Sequence, residues 1–357
     1  MTMRKINRRA FIKHSLALPL IAGAASMAAP LRKASAAIEL RLLTWEGYAE
    51  DAWVKDFEAA NNVTVAKTYV GSNDEYMAKL AAGGNGYDLV VIVSSLAQRA
   101  IKAGFVEAID PSLIPNIGQL YDRLQRATFD VDGSKLYGVP TFLAISPVTV
   151  NAEVIPTGDD FGLLFDEKYK GKLAMWDDVS TIGDVASYMG YENIWDLPDK
   201  DLDAVKAKLL AQKPLIRTYW SQAGEAIDLF TNREIVGTNS WSYITATLKT
   251  QGFPIREFVP ARPVGAVDSH FVVKGTPNRE IAHKFIDHII SAQAQAKIAE
   301  VTGYTPTNPH SKEFMAPDVW KNLNLDQGLA ILSKLQFWED IPRRNKYLEV
   351  LNEVKAG

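Results

Sequence analysis

Strand-like runs alternate with helix-like segments along the first third of the chain. Ile38 to Trp45 and Val63 to Val70 are rich in branched residues, and Asp88 to Val93 is a continuous apolar run of the kind buried in a parallel sheet. Between the first two runs, Trp53 and Phe57 are spaced as on one face of a helix. Three strands separated by helices predict an α/β lobe in which helices flank a mostly parallel sheet.

A second lobe is expected from the length and from the later pattern. A chain of 357 residues exceeds the size at which one hydrophobic core keeps growing. The chain becomes extended around Pro147, and further strands are predicted at 172–176 and 235–239. A strand at 267–273 and one long amphipathic helix over 279–301 follow. The predicted lobes are 37–146 with 267–312, and 147–266 with 313–357.

Residues 1–36 have the layout of a twin-arginine signal peptide. The segment 7–13 reads NRRAFIK, and an apolar stretch from Leu16 to Ala29 follows it. This stretch is shorter than the about 20 residues of a membrane-spanning helix, and Pro19 interrupts it. Small residues at 34–36 predict cleavage after Ala36 or one residue later, which leads to a periplasmic protein exported by the twin-arginine route. The alternative is an ordinary Sec leader with an incidental arginine pair.

Charge argues against nucleic acid as a partner. The sequence holds 39 Lys and Arg residues against 42 Asp and Glu residues, and seven of the basic residues lie within 1–36. Removing those seven leaves 32 basic residues against 42 acidic ones, a net charge near −10. No basic stripe is available to neutralise phosphates, whereas an acidic chain accommodates a cationic ligand.

The residue types needed for metal or thiol chemistry are scarce. Cysteine is absent, so disulfides, thiolate metal sites and cysteine nucleophiles are excluded. Of the five histidines, His283 and His288 are five apart on a predicted helix, rather than the four that aligns two ligands on one face. We therefore expect neither a metal nor another cofactor.

Aromatic and polar side chains follow two of the predicted strands. Trp45 and Tyr48 come at the end of the first strand, and Ser94 and Ser95 follow the third. In open α/β sheets, ligands bind beyond the carboxyl ends of the strands. These four residues are therefore predicted at one rim of a ligand site.

Several motifs resemble one family over nearly the whole chain after residue 36. They read LTWEGY at 43–48, SNDEYMAKL at 72–80, YDLVV at 87–91, YKGKL at 169–173 and GYTPTN at 303–308. Together they resemble the extracytoplasmic solute-binding proteins of ABC importers, in the spermidine/putrescine-binding branch. The resemblance implies a type II-like periplasmic binding fold, with two lobes joined by crossing hinge segments and a solute bound in the cleft. It also implies an ABC permease in the inner membrane as the partner.

The resemblance assigns roles to residues of the cleft. It implies that Asp268 pairs with an ammonium group of putrescine or spermidine, since a buried ammonium requires a counter-charge. It implies aromatic walls around the alkyl chain, to which cations are also attracted. The residues on family positions are Trp45, Tyr48, Trp241, Tyr304, Asp268 and Asp178. The chain departs from the family at Ser95, where a tyrosine is usual, at Thr181, where a second carboxylate is usual, and at Ala266, where a large aromatic is usual.

Other functions stay open at this point. The missing second carboxylate and the helix N-terminus at Ser95 favour, as an alternative, a zwitterion such as the ω-amino acid γ-aminobutyrate. A secreted enzyme on the same fold is a remote alternative, because Ser269 and His270 are adjacent on a strand and point to opposite faces. A ligand presenter for a chemoreceptor would share the same cleft. We expect a monomer that is not an enzyme and that has no lipid partner.

Overall fold

A computed structural model describes residues 37–83, 86–125, 135–323, 325, 331 and 334–357. The predicted leader, residues 1–36, lies outside the described residues. The strands are β1 Ile38–Trp45, β2 Val63–Val70, β3 Leu89–Val93, β4 Gly138–Ile145, β5 Val148–Asn151, β6 Leu173–Trp176, β7 Ile216–Trp220, β8 Gly237–Asn239, β9 Ile255–Phe258, β10 Val264–Val272, β11 Thr305–Pro306 and β12 Gln336–Phe337. The helices are α1 Asp51–Asn61, α2 Asn73–Gly83, α3 Ser94–Lys102, α4 Asp122–Gln125, α5 Ser180–Tyr188, α6 Asp199–Gln212, α7 Ala223–Thr231, α8 Ser242–Thr250, α9 Arg279–Ile289, α10 Ala292–Thr302, α11 Pro317–Asn322 and α12 Arg344–Ala356.

The described strands form two sheets, and each sheet is the centre of one lobe. A seven-stranded sheet has the order β11-β4-β10-β3-β1-β2, with β12 paired to β10, and a five-stranded sheet has the order β7-β6-β8-β5-β9. Strand β1 lies parallel to β2 and β3, and β6 lies parallel to β7 and β8. The strands that enter from the opposite lobe, β10 and β5, pair antiparallel with their main neighbours. Each sheet is therefore mixed. The predicted parallel pairing holds among β1, β2 and β3 and among β6, β7 and β8.

The described chain crosses between the lobes in three places. It leaves the first lobe between β4 and β5, returns between β9 and β10, and leaves again between β12 and α12. The sequence predicts 313–357 in the second lobe, but Met315, Trp320 and Leu325 pack against α10, and β12 extends the first sheet. The last helix, α12, packs on α6 of the second lobe. The two-residue strand β12 is too short for a sequence pattern to place the crossing.

Local signals explain several element boundaries. The Ser72 hydroxyl accepts from the Glu75 N–H at 3.2 Å and starts α2, which is the hydrogen bond of a capping box in the segment SNDE at 72–75. The predicted helix over 279–301 is instead two helices, because the Ser291 hydroxyl accepts from the Ala294 N–H at 3.3 Å and starts α10 anew. Gly303 ends α10 with a positive φ of 72° that other residues rarely adopt, and this turn directs the chain into Tyr304.

Helices cover the sheets with apolar faces. Trp53 and Phe57 of α1 are buried as the helical spacing predicts, and the Phe57 ring contacts Phe285 of α9 edge-to-face at 5.0 Å. Burial of one such side chain stabilises the fold by about 1.5–3 kcal/mol. None of the described helices has the length and apolar character needed to span a bilayer.

Candidate ligand-binding site

A cavity between the two sheets collects most of the predicted site residues. Five of the eight line it: Trp45, Tyr48, Trp241, Asp268 and Tyr304. The other lining residues are Val93, Ala144, Ile145, Ser146, Trp176, Ser240 and Trp338. The cavity volume is about 30 Å³, enough for about two water molecules, so side chains of the two lobes nearly touch across the cleft.

Tryptophans from both lobes form the walls of this cavity. The ring of Trp45, at the end of β1, meets Trp241 of the second lobe nearly perpendicularly at 6.0 Å. Trp176, at the end of β6, lies edge-on to Trp241 at 5.1 Å and stacks on Trp338 at 5.8 Å. Flat apolar faces of this kind pack against methylene groups and attract cations.

Asp268 on β10 is the carboxyl group of this cavity. Its side chain is 5% exposed, and its Oδ2 accepts a hydrogen bond from the Tyr48 hydroxyl. Its Oδ1 is buried and has no hydrogen-bond partner among the described residues. Burial raises the pKa of Asp268 to about 7, although the hydrogen bond from Tyr48 acts in the opposite direction and lowers it. This carboxyl therefore titrates close to neutral pH.

Tyr48, which packs against Phe142 and Tyr304, holds the Asp268 carboxyl in position. The Tyr48 ring stacks on Phe142 at 3.8 Å and meets Tyr304 edge-on at 5.3 Å. Burial first, and the nearby Asp268 second, raise the pKa of both tyrosine hydroxyls well above their usual range. Both hydroxyls consequently stay protonated, and Tyr48 remains a hydrogen-bond donor to Asp268.

Two indole N–H groups at this cleft are also unsatisfied. The Nε1 atoms of Trp45 and Trp338 are buried and have no acceptor within the described part of the chain. The Nε1 of Trp176, in contrast, donates to the Gly71 carbonyl at 3.1 Å. Buried donors are nearly always paired in native proteins, so these two N–H groups are available to donate to a ligand or to water.

Three predicted residues lie outside the cavity lining. The Ser94 hydroxyl donates to the Trp338 carbonyl at 2.7 Å, and Ser95 is buried in the first turn of α3. The Asp178 carboxylate accepts hydrogen bonds from Asn73 and Ser180. The structure thus places Ser94 behind a lining residue and Asp178 at a contact between the lobes.

A larger cavity, of about 320 Å³, shares Ser146 with the cleft. Burial raises the pKa of Asp184 in its lining to about 7, and the Asp184 Oδ2 accepts from Asn239 at 2.9 Å. Asp159, also in its lining, pairs with Arg256 at 3.3 Å. These carboxylates already have partners, so this cavity lacks the unsatisfied groups that distinguish the cleft.

The chain matches a protein family and curated relatives over most of its length. The family model of bacterial extracellular solute-binding proteins matches residues 52–326. The chain belongs to this family. A putrescine/cadaverine-binding protein of Pseudomonas aeruginosa is 24% identical over 352 residues, which cover 93% of this chain and 95% of the relative.

Solved structures share the fold of this solute-binding protein. The spermidine/putrescine ABC transporter substrate-binding protein PotD of Streptococcus pneumoniae superposes with a TM-score of 0.73 at 17% identity, over 90% of this chain and 99% of the other. The Atu4243 GABA receptor superposes with a TM-score of 0.65 at 25% identity, over 89% of this chain and 95% of the other. The two-lobed periplasmic binding fold is thereby established.

The three departures from the family pattern are buried within their own lobes. The Thr181 hydroxyl donates to the Trp176 carbonyl at 2.7 Å, and Ala266 lies in β10 opposite Ala144. Neither of these residues nor Ser95 lines the cleft. Glu257 is the other carboxyl near Tyr304, and burial raises its pKa, but it too lies outside the lining.

Sequence reasoning missed two large lining residues, Trp176 and Trp338. Trp176 ends a strand of the second sheet, so the rim rule that selects Trp45 also selects Trp176. Trp338 follows β12, whose two residues carry no periodic signal. The position of Trp338 depends on the third crossing between the lobes.

Proposed function

We propose that this solute-binding protein captures a small amine such as putrescine or spermidine between its lobes and delivers it to an ABC permease in the inner membrane. The unpartnered Oδ1 of buried Asp268 carries the proposal. An isolated carboxylate is costly to bury, and a primary ammonium supplies both the charge and the hydrogen bond that it lacks. The putrescine/cadaverine-binding relative supports this ligand class.

The proposed contacts follow from the lining. Asp268 pairs with the ammonium, and Tyr48 holds the carboxylate in place through its hydrogen bond. Trp45, Trp241 and Tyr304 pack against the methylene groups of the ligand. The role is capture and release, with no bond made or broken.

Calorimetric titration of residues 37–357 with putrescine, cadaverine and spermidine tests the proposal. We expect saturable binding of at least one amine, and a loss of about 3–5 kcal/mol in Asp268→Asn, because the ammonium is left buried without its charge partner. Asp184→Asn is the matched control, since Asp184 is equally buried but lines the other cavity. The absence of heat with all three amines would refute the proposed ligand class.

A zwitterion such as γ-aminobutyrate is a second candidate, favoured by the two unpaired indole N–H groups. Among the described residues that line the cleft, Asp268 has the one carboxyl group, so a second ammonium would face donors instead of an acceptor. The likeness to a GABA receptor supports this candidate. Trp338→Phe removes one donor and keeps an aromatic ring at this position. We expect the variant to lose γ-aminobutyrate binding by about 1–3 kcal/mol if the zwitterion is the ligand, and to bind putrescine unchanged.

We also propose export of a monomer to the periplasm by the twin-arginine route, on the strength of the NRRAFIK segment. Replacing both Arg8 and Arg9 by Lys is expected to leave the precursor in the cytoplasm. Immunoblots of periplasmic and cytoplasmic fractions measure this, and unchanged periplasmic protein would favour the Sec route.

A further inference from the structure

Asp178 is a buried carboxylate that has no cationic partner among the described residues and does not line the cleft. It is 2% exposed and lies just after β6 of the second lobe. Its Oδ2 accepts from the Asn73 backbone N–H at 3.0 Å, and its Oδ1 accepts from the Asn73 side-chain amide at 3.0 Å. Asn73 belongs to the first lobe and is also 2% exposed. These hydrogen bonds therefore join the two lobes.

The same carboxylate lies between two helix N-termini from opposite lobes. Asn73 is the first residue of the 11-residue helix α2, and its N–H is one of the donors that a helix leaves free. On the other side, the Ser180 N–H and hydroxyl at the start of α5 donate to Oδ1 at 2.9 and 2.5 Å. Both helix dipoles present their positive ends to Asp178. This explains how a carboxylate is buried here without an Arg or Lys.

The interlobe contact at Gly71, Asn73, Trp176, Asp178 and Ser221 is called the seam here, and its contacts show that it is tightly closed. The Gly71 carbonyl accepts from Trp176 Nε1 at 3.1 Å, and Trp176 also lines the cleft. A Cβ on Gly71 would lie 2.3 Å from the Ser221 carbonyl oxygen of the second lobe. Because Asn73 is the first residue of α2 and Gly71 lies two residues before it, separation of the lobes would break both contacts together.

We propose that Asn73 and Asp178 form an interlobe latch that slows release of the ligand without touching it, an inference that rests on the proposed solute-binding function. In separated lobes, Asp178 keeps its hydrogen bonds to Ser180, and water replaces Asn73. Closure exchanges that water for the N-terminus of α2. The latch therefore contributes to the stability of the closed form and leaves the cleft contacts of the ligand unchanged.

Stopped-flow tryptophan fluorescence with putrescine and γ-aminobutyrate as probes measures association and release in the wild type, Asn73→Ala and Asp178→Asn. A hydrogen bond to a charged group corresponds to about a tenfold or larger effect, so we expect release to accelerate about tenfold in both variants. Association is expected to change little, because the open form is the one that meets the ligand. Asn73→Ala removes the side-chain hydrogen bond and keeps the backbone one, whereas Asp178→Asn removes the charge that both bonds serve. The double variant is therefore expected to be no faster than Asp178→Asn alone.

Asp177→Asn is the matched control. Asp177 is the adjacent acid, but its carboxylate pairs with Lys355 at 2.7 Å within the second lobe. Release from this variant is expected to match the wild type. Equal acceleration in Asp177→Asn and Asp178→Asn would overturn the latch, as would unchanged release in both Asn73→Ala and Asp178→Asn.

A second measurement tests the latch without a ligand. The chain has no native cysteine, so dyes on Lys102→Cys and Lys200→Cys, both exposed and on opposite lobes, report lobe closure by energy transfer. We expect a smaller closed fraction in Asn73→Ala than in the wild type. If neither putrescine nor γ-aminobutyrate binds the wild type, the proposed ligand class fails. An unchanged closed fraction in Asn73→Ala overturns the latch, and that result does not depend on ligand binding.

Discussion

At the scale of single residues, burial sets the protonation of Asp268. With a pKa of about 7, the group is largely neutral at pH 6 and largely charged at pH 8. The unfolded chain has a carboxyl pKa near 3.9, so the empty protein loses stability from this group as pH rises from about 4 to 7. An ammonium ligand reverses the preference, because it interacts with the charged form.

The affinity for an amine is therefore expected to rise with pH. Between pH 5 and 6.5, the dissociation constant of putrescine should fall by about tenfold per pH unit, and it should level off above about 7.5. Tyr48 and Tyr304, the titratable groups in contact with this site, stay neutral over that range because burial raises their pKa values. Calorimetry at several pH values measures the slope. Asp268→Asn is expected to abolish the slope, and a wild-type slope of zero would contradict the role of Asp268.

The sequence reveals two things about the site, namely which residue types are present and which of them follow a strand. Trp45 and Tyr48 could be found because they follow a clear strand, and Asp268 because a family motif position marks it. Asp178 was equally visible as an acid, but its partner Asn73 lies 105 positions away in sequence, and no local pattern encodes that pairing. Whether an acid meets a ligand or the other lobe is decided by tertiary contacts.

At the scale of elements, β10 combines the site with the core of the first lobe. It pairs with β3 on one side and β4 on the other, and the register with β4 shifts between Asp268 and Ser269. His270, two residues after Asp268, is fully buried, and its Nδ1 lies 2.9 Å from the Thr141 hydroxyl. Burial lowers the pKa of His270 to about 3, because protonation would bury a charge without a partner.

His270 on β10 is expected to reduce the stability of the fold in acid. The unfolded histidine has a pKa near 6.5, so the folded protein binds fewer protons between pH 6.5 and 3 and loses stability as pH falls. Between pH 6 and 4, we expect the wild type to lose about 1.4 kcal/mol per pH unit more than His270→Gln. Urea unfolding at each pH measures the difference. His310→Gln, at an exposed histidine, is the control, and parallel curves for wild type and His270→Gln would refute this account.

The loops that meet across the cleft are a second element-scale feature. Gly71→Ala places a methyl group against the Ser221 carbonyl, and Gly71 has no positive φ that would strain the substitution by itself. We expect amine affinity to fall by about tenfold or more, while the melting temperature of the ligand-free protein stays close to that of the wild type. Gly118→Ala is the control, because a Cβ there meets nothing within 4 Å. Equal affinities for the two variants would show that the seam does not limit closure.

Strongly periodic elements were predictable, and interruptions of them were less so. The patterns at Ile38–Trp45 and Val63–Val70 match β1 and β2, since branched residues and alternation persist over eight positions. The break between α9 and α10 was not predicted, because apolar spacing continues through Ser291 and the cap that divides the helices is one hydroxyl. Pairing of β10 with β3 and β4 joins segments that a local pattern cannot connect.

At the scale of the whole molecule, the narrow cleft requires motion. A cavity of about 30 Å³ is too small to admit a diamine from solvent, so the lobes must separate before a ligand enters. We expect the radius of gyration of residues 37–357, measured by small-angle X-ray scattering, to decrease when an amine that the protein binds is added at a saturating concentration. Gly71→Ala should show a smaller decrease at the same saturation. A wild-type radius that does not change would indicate that ligand entry needs only local side-chain movement.

The insertion of β10 between β3 and β4 also bears on the order of synthesis. The chain leaves the first sheet at Ile145 and supplies its central strand only after the whole second sheet, so residues 37–145 emerge with the facing edges of β3 and β4 unpaired. Exposed strand edges promote association with other chains, and pairings between distant segments form slowly. The first sheet therefore cannot be completed while the second is still being made, and the facing edges of β3 and β4 stay unpaired until Val272 has emerged.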